Sequence, residues 1–178
     1  MRKVLYLFGK FTDQDIDWLI GAGTREDVGK GRALIQEGQP VEKLYLTLSG
    51  SFAVSTKNKQ IATIGPGEVV GELSFLDSRP PSATVTGAES EGVVVSFSVK
   101  RLRSKLKVDT AFASRFYLAL GVMLADRMRQ NVQMLAPTDA RALDKDVEAY
   151  GEIAPELLDE SGLAGARFDK LRRTFLGG

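Results

Sequence analysis

The feature that most restricts this chain is the punctuation of residues 24–99. Ala33-Leu34-Ile35 runs into Glu37-Gly38, and Leu44-Tyr45-Leu46-Thr47-Leu48 into Ser49-Gly50. Phe52-Ala53-Val54 stops at Lys57-Asn58-Lys59, and Ile61-Ala62-Thr63-Ile64 at Gly65-Pro66-Gly67. Ala83-Thr84-Val85-Thr86 and Val93-Val94-Val95-Ser96-Phe97 close the series. Runs this short, rich in β-branched and aromatic residues and ended by turn formers roughly every ten residues, predict a sandwich, jelly roll or barrel.

Helical signals flank this region. Thr12 precedes Asp13-Gln14-Asp15 and is placed to cap a helix whose Ile16, Leu19 and Ile20 share one face, with Gly21 and Gly23 ending it. After Val99 the period changes. Five of the eight residues from Lys100 to Lys107 are basic. Val99, Leu102 and Leu106 form a stripe beside them, so a short amphipathic helix with a solvated basic face is expected.

Asp109 to Leu135 holds no proline and one glycine, and reads as one long helix capped by Asp109 or Thr110. It carries two apolar stripes. Phe112, Phe116, Leu120 and Met123 make one, and Tyr117, Leu124, Met128, Asn131 and Leu135 make the other at near a/d spacing. One barrel covers one stripe. The second is therefore expected to meet a twin helix in a homodimer, the alternative being that the chain's own tail covers it. Residues 136–178 hold nine acidic and six basic residues. They predict two or three short helices broken at Gly151, Pro155 and Gly162, and offer a surface for a protein partner. The domain boundaries expected are 1–108, 109–135 and 136–178.

Composition removes several chemistries. The chain has no cysteine and no histidine, and its net charge is +1. Disulfides, thiolate nucleophiles, Cys/His zinc sites and histidine general bases are excluded. Asp and Glu lack the spacing of a calcium loop, and no nucleophile elbow or phosphate loop occurs, so neither a metal nor catalysis is expected. The longest apolar run, Leu118–Ala125, is far short of a bilayer span, and the apolar start at residues 4–8 lacks a cleavage site. The reading is a cytoplasmic protein with no membrane segment.

One stretch is built for a ligand rather than for packing: Gly71-Glu72-Leu73-Ser74, a short apolar turn, Arg79-Pro80-Pro81, then Ser82-Ala83-Thr84-Val85. A turn of helix opening after a glycine presents free backbone N–H groups, an ordinary way to hold a phosphate. A tight connection without a ligand is the competing reading. Gly71-Glu72-Leu73 followed by Ser82-Ala83-Thr84-Val85 resembles the phosphate-binding cassette of the cyclic nucleotide-binding domain, the fold of the catabolite activator protein and of cyclic-AMP-dependent kinase regulatory subunits. Leu34-Ile35 before Glu37-Gly38, and Leu44-Tyr45 leading to Gly50, support it.

The resemblance implies an α+β fold: an antiparallel β-roll or jelly-roll barrel of about eight strands with an N-terminal helix, a short hinge helix and a long dimerisation helix. It implies cyclic AMP or another cyclic nucleotide as ligand. Glu72 would accept from the ribose 2′-hydroxyl, and Val70 and backbone around Leu73, Ser74 and Ala83 would line the phosphate site, with a hydroxyl from Ser82 or Thr84. Arg127, Asp126 and Asn131 are candidates for the base.

Two departures stand out. The family's phosphate-pairing arginine falls at Pro81, with Arg79 two residues earlier as the only substitute. The tail is acidic and short for the DNA-reading domain of the family's transcription factors, so nucleic acid is not expected as a partner. Two readings follow. One is a degenerate, non-catalytic regulatory module working as a dimer. The other is a working sensor of a cyclic nucleotide or related small anion.

Overall fold

The computed structural model describes residues 7–135 and 155–177. Eight strands form two four-stranded antiparallel sheets. β1 (Thr24–Val28), β8 (Gly92–Ser98), β3 (Lys43–Ser49) and β6 (Val69–Val70) make the first, in that order. β2 (Ala33–Ile35), β7 (Thr84–Gly87), β4 (Phe52–Thr56) and β5 (Lys59–Ile64) make the second. The sheets face each other as a β-roll that does not close, so the expected barrel is an open one. β1 is not among the apolar runs because it is a polar edge strand: in Thr24-Arg25-Glu26-Asp27-Val28 only Val28 is buried.

β3 shows how the sequence builds two cores. Alternate residues point to opposite faces. Tyr45 points into the space between the sheets with Val28, Ile35, Phe52, Val70, Val85 and Val94. Leu44, Leu46 and Leu48 point outward and pack under the helices with Phe8, Ile16, Phe112, Phe116 and Leu120. The strand is therefore buried on both faces, as its unbroken apolar run requires.

Five helices have both ends among the described residues. α1 (Asp13–Ala22) starts at a capping box: the Asp15 amide donates to Thr12 Oγ1 at 3.2 Å, and the Thr12 amide to Asp15 Oδ2 at 2.7 Å. α2 (Glu72–Asp77) lies between β6 and β7. α3 (Val99–Val108) buries Leu102 and Leu106. α4 (Thr110–Leu135) is capped by Asp109, whose Oδ1 accepts from the Phe112 amide at 2.9 Å. Its stripe Phe112, Phe116, Leu120 and Met123 is buried against the roll. On the second stripe Tyr117 is 48% and Met128 70% exposed, Asn131 is exposed and Leu124 is half-buried. The Leu135 side chain lies outside the described residues.

The tail departs from expectation. Gly151 lies outside the described residues, but Pro155 and Gly162 break nothing: both sit in one helix, α5 (Pro155–Leu176). Proline is tolerated in a helix's first turn, where its missing N–H has no partner to lose. α5 does not cover the second stripe of α4. It packs on α1 and on the turn of helix before it, where Phe168 meets Phe8 with ring centroids 5.3 Å apart, and Leu171 is wholly buried. Arg167 pairs with Asp13 at 2.8 Å and Lys170 with Asp17 at 2.5 Å.

Candidate functional site

The cassette stretch forms α2 and the turns around it. Gly71 has φ +91°, and a β-carbon there would approach Ile35 Cδ1 at 3.1 Å and the Lys43 carbonyl at 3.2 Å, so both conformation and space demand glycine. No side chain caps α2. The N–H groups of its first turn are thus left without intrahelical partners, as at any helix start.

The end of α2 is fastened instead. Arg103 of α3 donates to the Phe75 carbonyl at 2.8 Å and to Ser78 Oγ at 3.3 Å, and its guanidinium lies 5.1 Å from the Phe75 ring centroid. Lys105 pairs with Asp109 at 2.8 Å and lies over Trp18 and Phe112. The basic face expected to be solvated is therefore partly engaged: these two residues tie α3 to its neighbours.

Glu72 is 5% exposed and points under α4. Arg127 reaches down from that helix. Its Nη1 donates to Glu72 Oε1 at 2.5 Å, and its Nη2 to Glu68 Oε2 at 2.9 Å and the Val69 carbonyl at 2.6 Å. Burial pushes the Glu72 carboxyl up from the ordinary carboxylate range. Arg127 opposes that rise, and the neighbouring Glu68 carboxylate adds to it. Glu68 is missing from the sequence-based candidates. A signal for the cluster exists: Arg127 follows Phe112, Phe116, Leu120 and Met123 at helical spacing, so a cation continues the buried stripe.

The remaining candidates are dispersed. Val70 is buried between the sheets, and Leu73 is 53% exposed. The Ser74 carbonyl accepts from the Ser78 amide at 3.0 Å. Arg79 is 83% exposed and lies 3.8 Å from Asp77. The Pro81 carbonyl accepts from the Gly38 amide at 2.9 Å, holding the loop after α2 against the β2–β3 turn. Ser82 is exposed and Ala83 half-buried. Thr84 Oγ1 accepts from the Glu37 amide at 3.0 Å. Asp126 accepts from Gln130 at 2.7 Å, and Asn131 faces solvent.

The sequence model of the family described as "Cyclic nucleotide-binding domain" matches residues 25–109, which hold the roll, the cassette and α3. Over these residues the chain is similar to the cyclic nucleotide-binding domain family. A cyclic nucleotide-binding domain from Methylobacillus flagellatus has the same fold, with a TM-score of 0.67 at 21% identity, over 75% of this chain and 81% of that one. So does the catabolite activator protein of Thermus thermophilus, with a TM-score of 0.59 at 20% identity, over 93% of this chain and 84% of that one. In sequence, a cGMP-dependent protein kinase of Eimeria tenella is 42% identical over 66 residues, 37% of this chain. The Pycsar effector protein PaPycTIR of Pseudomonas aeruginosa is 30% identical over 120 residues, 67% of this chain. The chain spans only 6% and 37% of the lengths of these two relatives. Among the described residues no helix is long and apolar enough to cross a membrane.

Proposed function

We propose that this domain is a non-catalytic regulatory module, paired through α4, whose cassette keeps its backbone cradle but lacks the cation that would hold a cyclic phosphate. One observation carries this reading. Arg79 faces solvent beside Asp77, while the family resemblance puts the phosphate-pairing arginine at Pro81. A charge-assisted hydrogen bond contributes about 1.5–3 kcal/mol. Its loss lowers affinity by about tenfold to 150-fold. On the same reading Glu72, the ribose acceptor that the family resemblance implies, is held ready by Arg127.

A second reading, a working sensor, is favoured by the uncapped start of α2 after left-handed Gly71. Its ligand would be a cyclic nucleotide, as the names of the cGMP- and cAMP-dependent kinases among the relatives suggest. Fastening of α2 to α3 by Arg103 gives either version a route from cassette to hinge. Calorimetry with cyclic AMP and cyclic GMP separates the two: micromolar binding by the unaltered domain supports the sensor, and binding only after Pro81→Arg supports the module.

A further inference from the structure

α2 is too short to hold itself. A helix of six residues is not stable alone in water, and no side chain caps its start. Of its residues only Glu72 and Phe75 are buried. Its place therefore depends on what seats Phe75. Arg103 lies against that ring, and Phe116 of α4 meets it edge to face with centroids 5.8 Å apart.

The seat is backed by further rings. Phe116 lies 6.3 Å from Phe11, and Phe11 lies 6.3 Å from Phe8. Phe8 is where α5 lands: the Phe168 ring is 5.3 Å away, and Arg167 Nη1 donates to the Phe8 carbonyl at 3.4 Å. Each spacing falls in the range of direct aromatic contact. All five rings are buried, the most open being Phe168 at 9%. Phe8 and Phe11 precede α1, so contacts on two sides fix them, α5 on one and α4 on the other. In a close-packed interior a ring that loses its neighbour on one side shifts or leaves a void, and the next ring feels it.

The outer ties of α5 are weak ones. Asp13 and Asp17, which pair with Arg167 and Lys170, are 76% and 62% exposed, and water screens both pairs. α5 is held chiefly by one apolar stripe, Ala164, Phe168 and Leu171. We propose that α5 is a regulatory strap whose docking is coupled, through Phe8, Phe11 and Phe116, to the order of the cassette helix α2. Undocking α5 frees Phe8, and the seat of Phe75 loses its backing. Coupling of this kind is reciprocal. Whatever orders α2 also holds α5 down, so an occupant of the cassette is reported at α5 as well as through α4. The coupling does not depend on which ligand the cassette takes, nor on whether Pro81 prevents one.

Amide hydrogen exchange on the full chain, without ligand, tests this. Arg167→Glu with Lys170→Glu sets like charges against Asp13 and Asp17 and leaves every buried ring in place. Phe168→Ala removes the ring that meets Phe8. Both variants are expected to speed exchange in residues 163–176, where α5 docks. They are also expected to speed exchange in residues 72–78 by about twofold to thirtyfold, the span of ordinary coupling between sites. Residues 52–56 of β4, which stand apart from the ring series, are expected to keep their rates. The proposal is overturned if α5 stays protected in both variants, or if α5 opens and residues 72–78 do not change. It is equally overturned if residues 52–56 speed up by the same factor as 72–78, since α5 would then stabilise the whole fold without acting on the cassette.

Discussion

Arg127 on α4 and Glu72 on α2 meet at 2.5 Å, 55 positions apart in sequence, in a place where the carboxylate is almost sealed from water. The same guanidinium also holds Glu68. A long helix is thereby tied to the start of the cassette by a buried charge cluster in which Arg127 faces both Glu68 and Glu72.

Removing the cation tests that tie. Arg127→Met takes the cation from the buried Glu72 carboxylate, and breaking a buried pair from one side typically costs about 3–5 kcal/mol. The midpoint of denaturant unfolding is expected to fall accordingly. Adding Glu72→Gln to Arg127→Met is expected to recover part of the loss, because the amide needs no counter-charge. A double variant as unstable as the single one would show that Glu72 is not the group Arg127 neutralises.

Asp15 makes the acid limb of stability. Burial pushes its carboxyl up, but hydrogen bonds from Arg115 and Thr12 outweigh that and hold it below the usual 3.8. Arg115 of α4 grips it in two places, at 2.6 and 2.8 Å. A depressed carboxyl stabilises the fold fully above its unfolded value, and the contribution is lost as pH falls through the lower folded value. Asp15→Asn is therefore expected to cost about 1–3 kcal/mol at neutral pH and less below about pH 4. Unfolding followed by circular dichroism between neutral pH and pH 3 reads the difference. A cost unchanged by pH would sink the assignment.

Pairing through α4 rests on its uncovered stripe. Leu124→Glu with Met128→Glu places two charges there and is expected to give monomers in sedimentation velocity, with the β-roll signal in circular dichroism intact. An unchanged dimer would move the interface to another face.

The tail helix contributes to the fold rather than hanging from it. Leu171 is wholly buried between α5 and the core, so Leu171→Ala is expected to cost about 2–5 kcal/mol. Protease sensitivity within residues 163–176 reports the same event. A variant as stable as the unaltered chain would mean that α5 does not stay docked on α1.

Six of the eight strands, α1, α3 and α4 are legible in the sequence because each is decided locally, by alternation, helical spacing or a cap. β1 escaped because an edge strand needs little apolar content. Pro155 and Gly162 speak locally for breaks in α5, but packing of Phe168 on Phe8 and burial of Leu171 in the core override that propensity. The cassette was legible from Gly71, Glu72 and Ser82–Val85. Its charge cluster was not, because Glu68 and Arg127 come together only when α4 lies across the roll. The exposed position of Arg79 was equally beyond reach, since it depends on the path the chain takes through Pro80-Pro81.

On the proposed reading the cassette lacks only a cation. Titration calorimetry of cyclic AMP into Pro81→Arg, beside the unaltered chain, tests it most directly. Little or no heat is expected from the unaltered chain, and binding stronger by about tenfold to 150-fold in Pro81→Arg, lost again when Glu72→Ala is added. Tight binding by the unaltered chain, or a Pro81→Arg variant that binds no better, would contradict it.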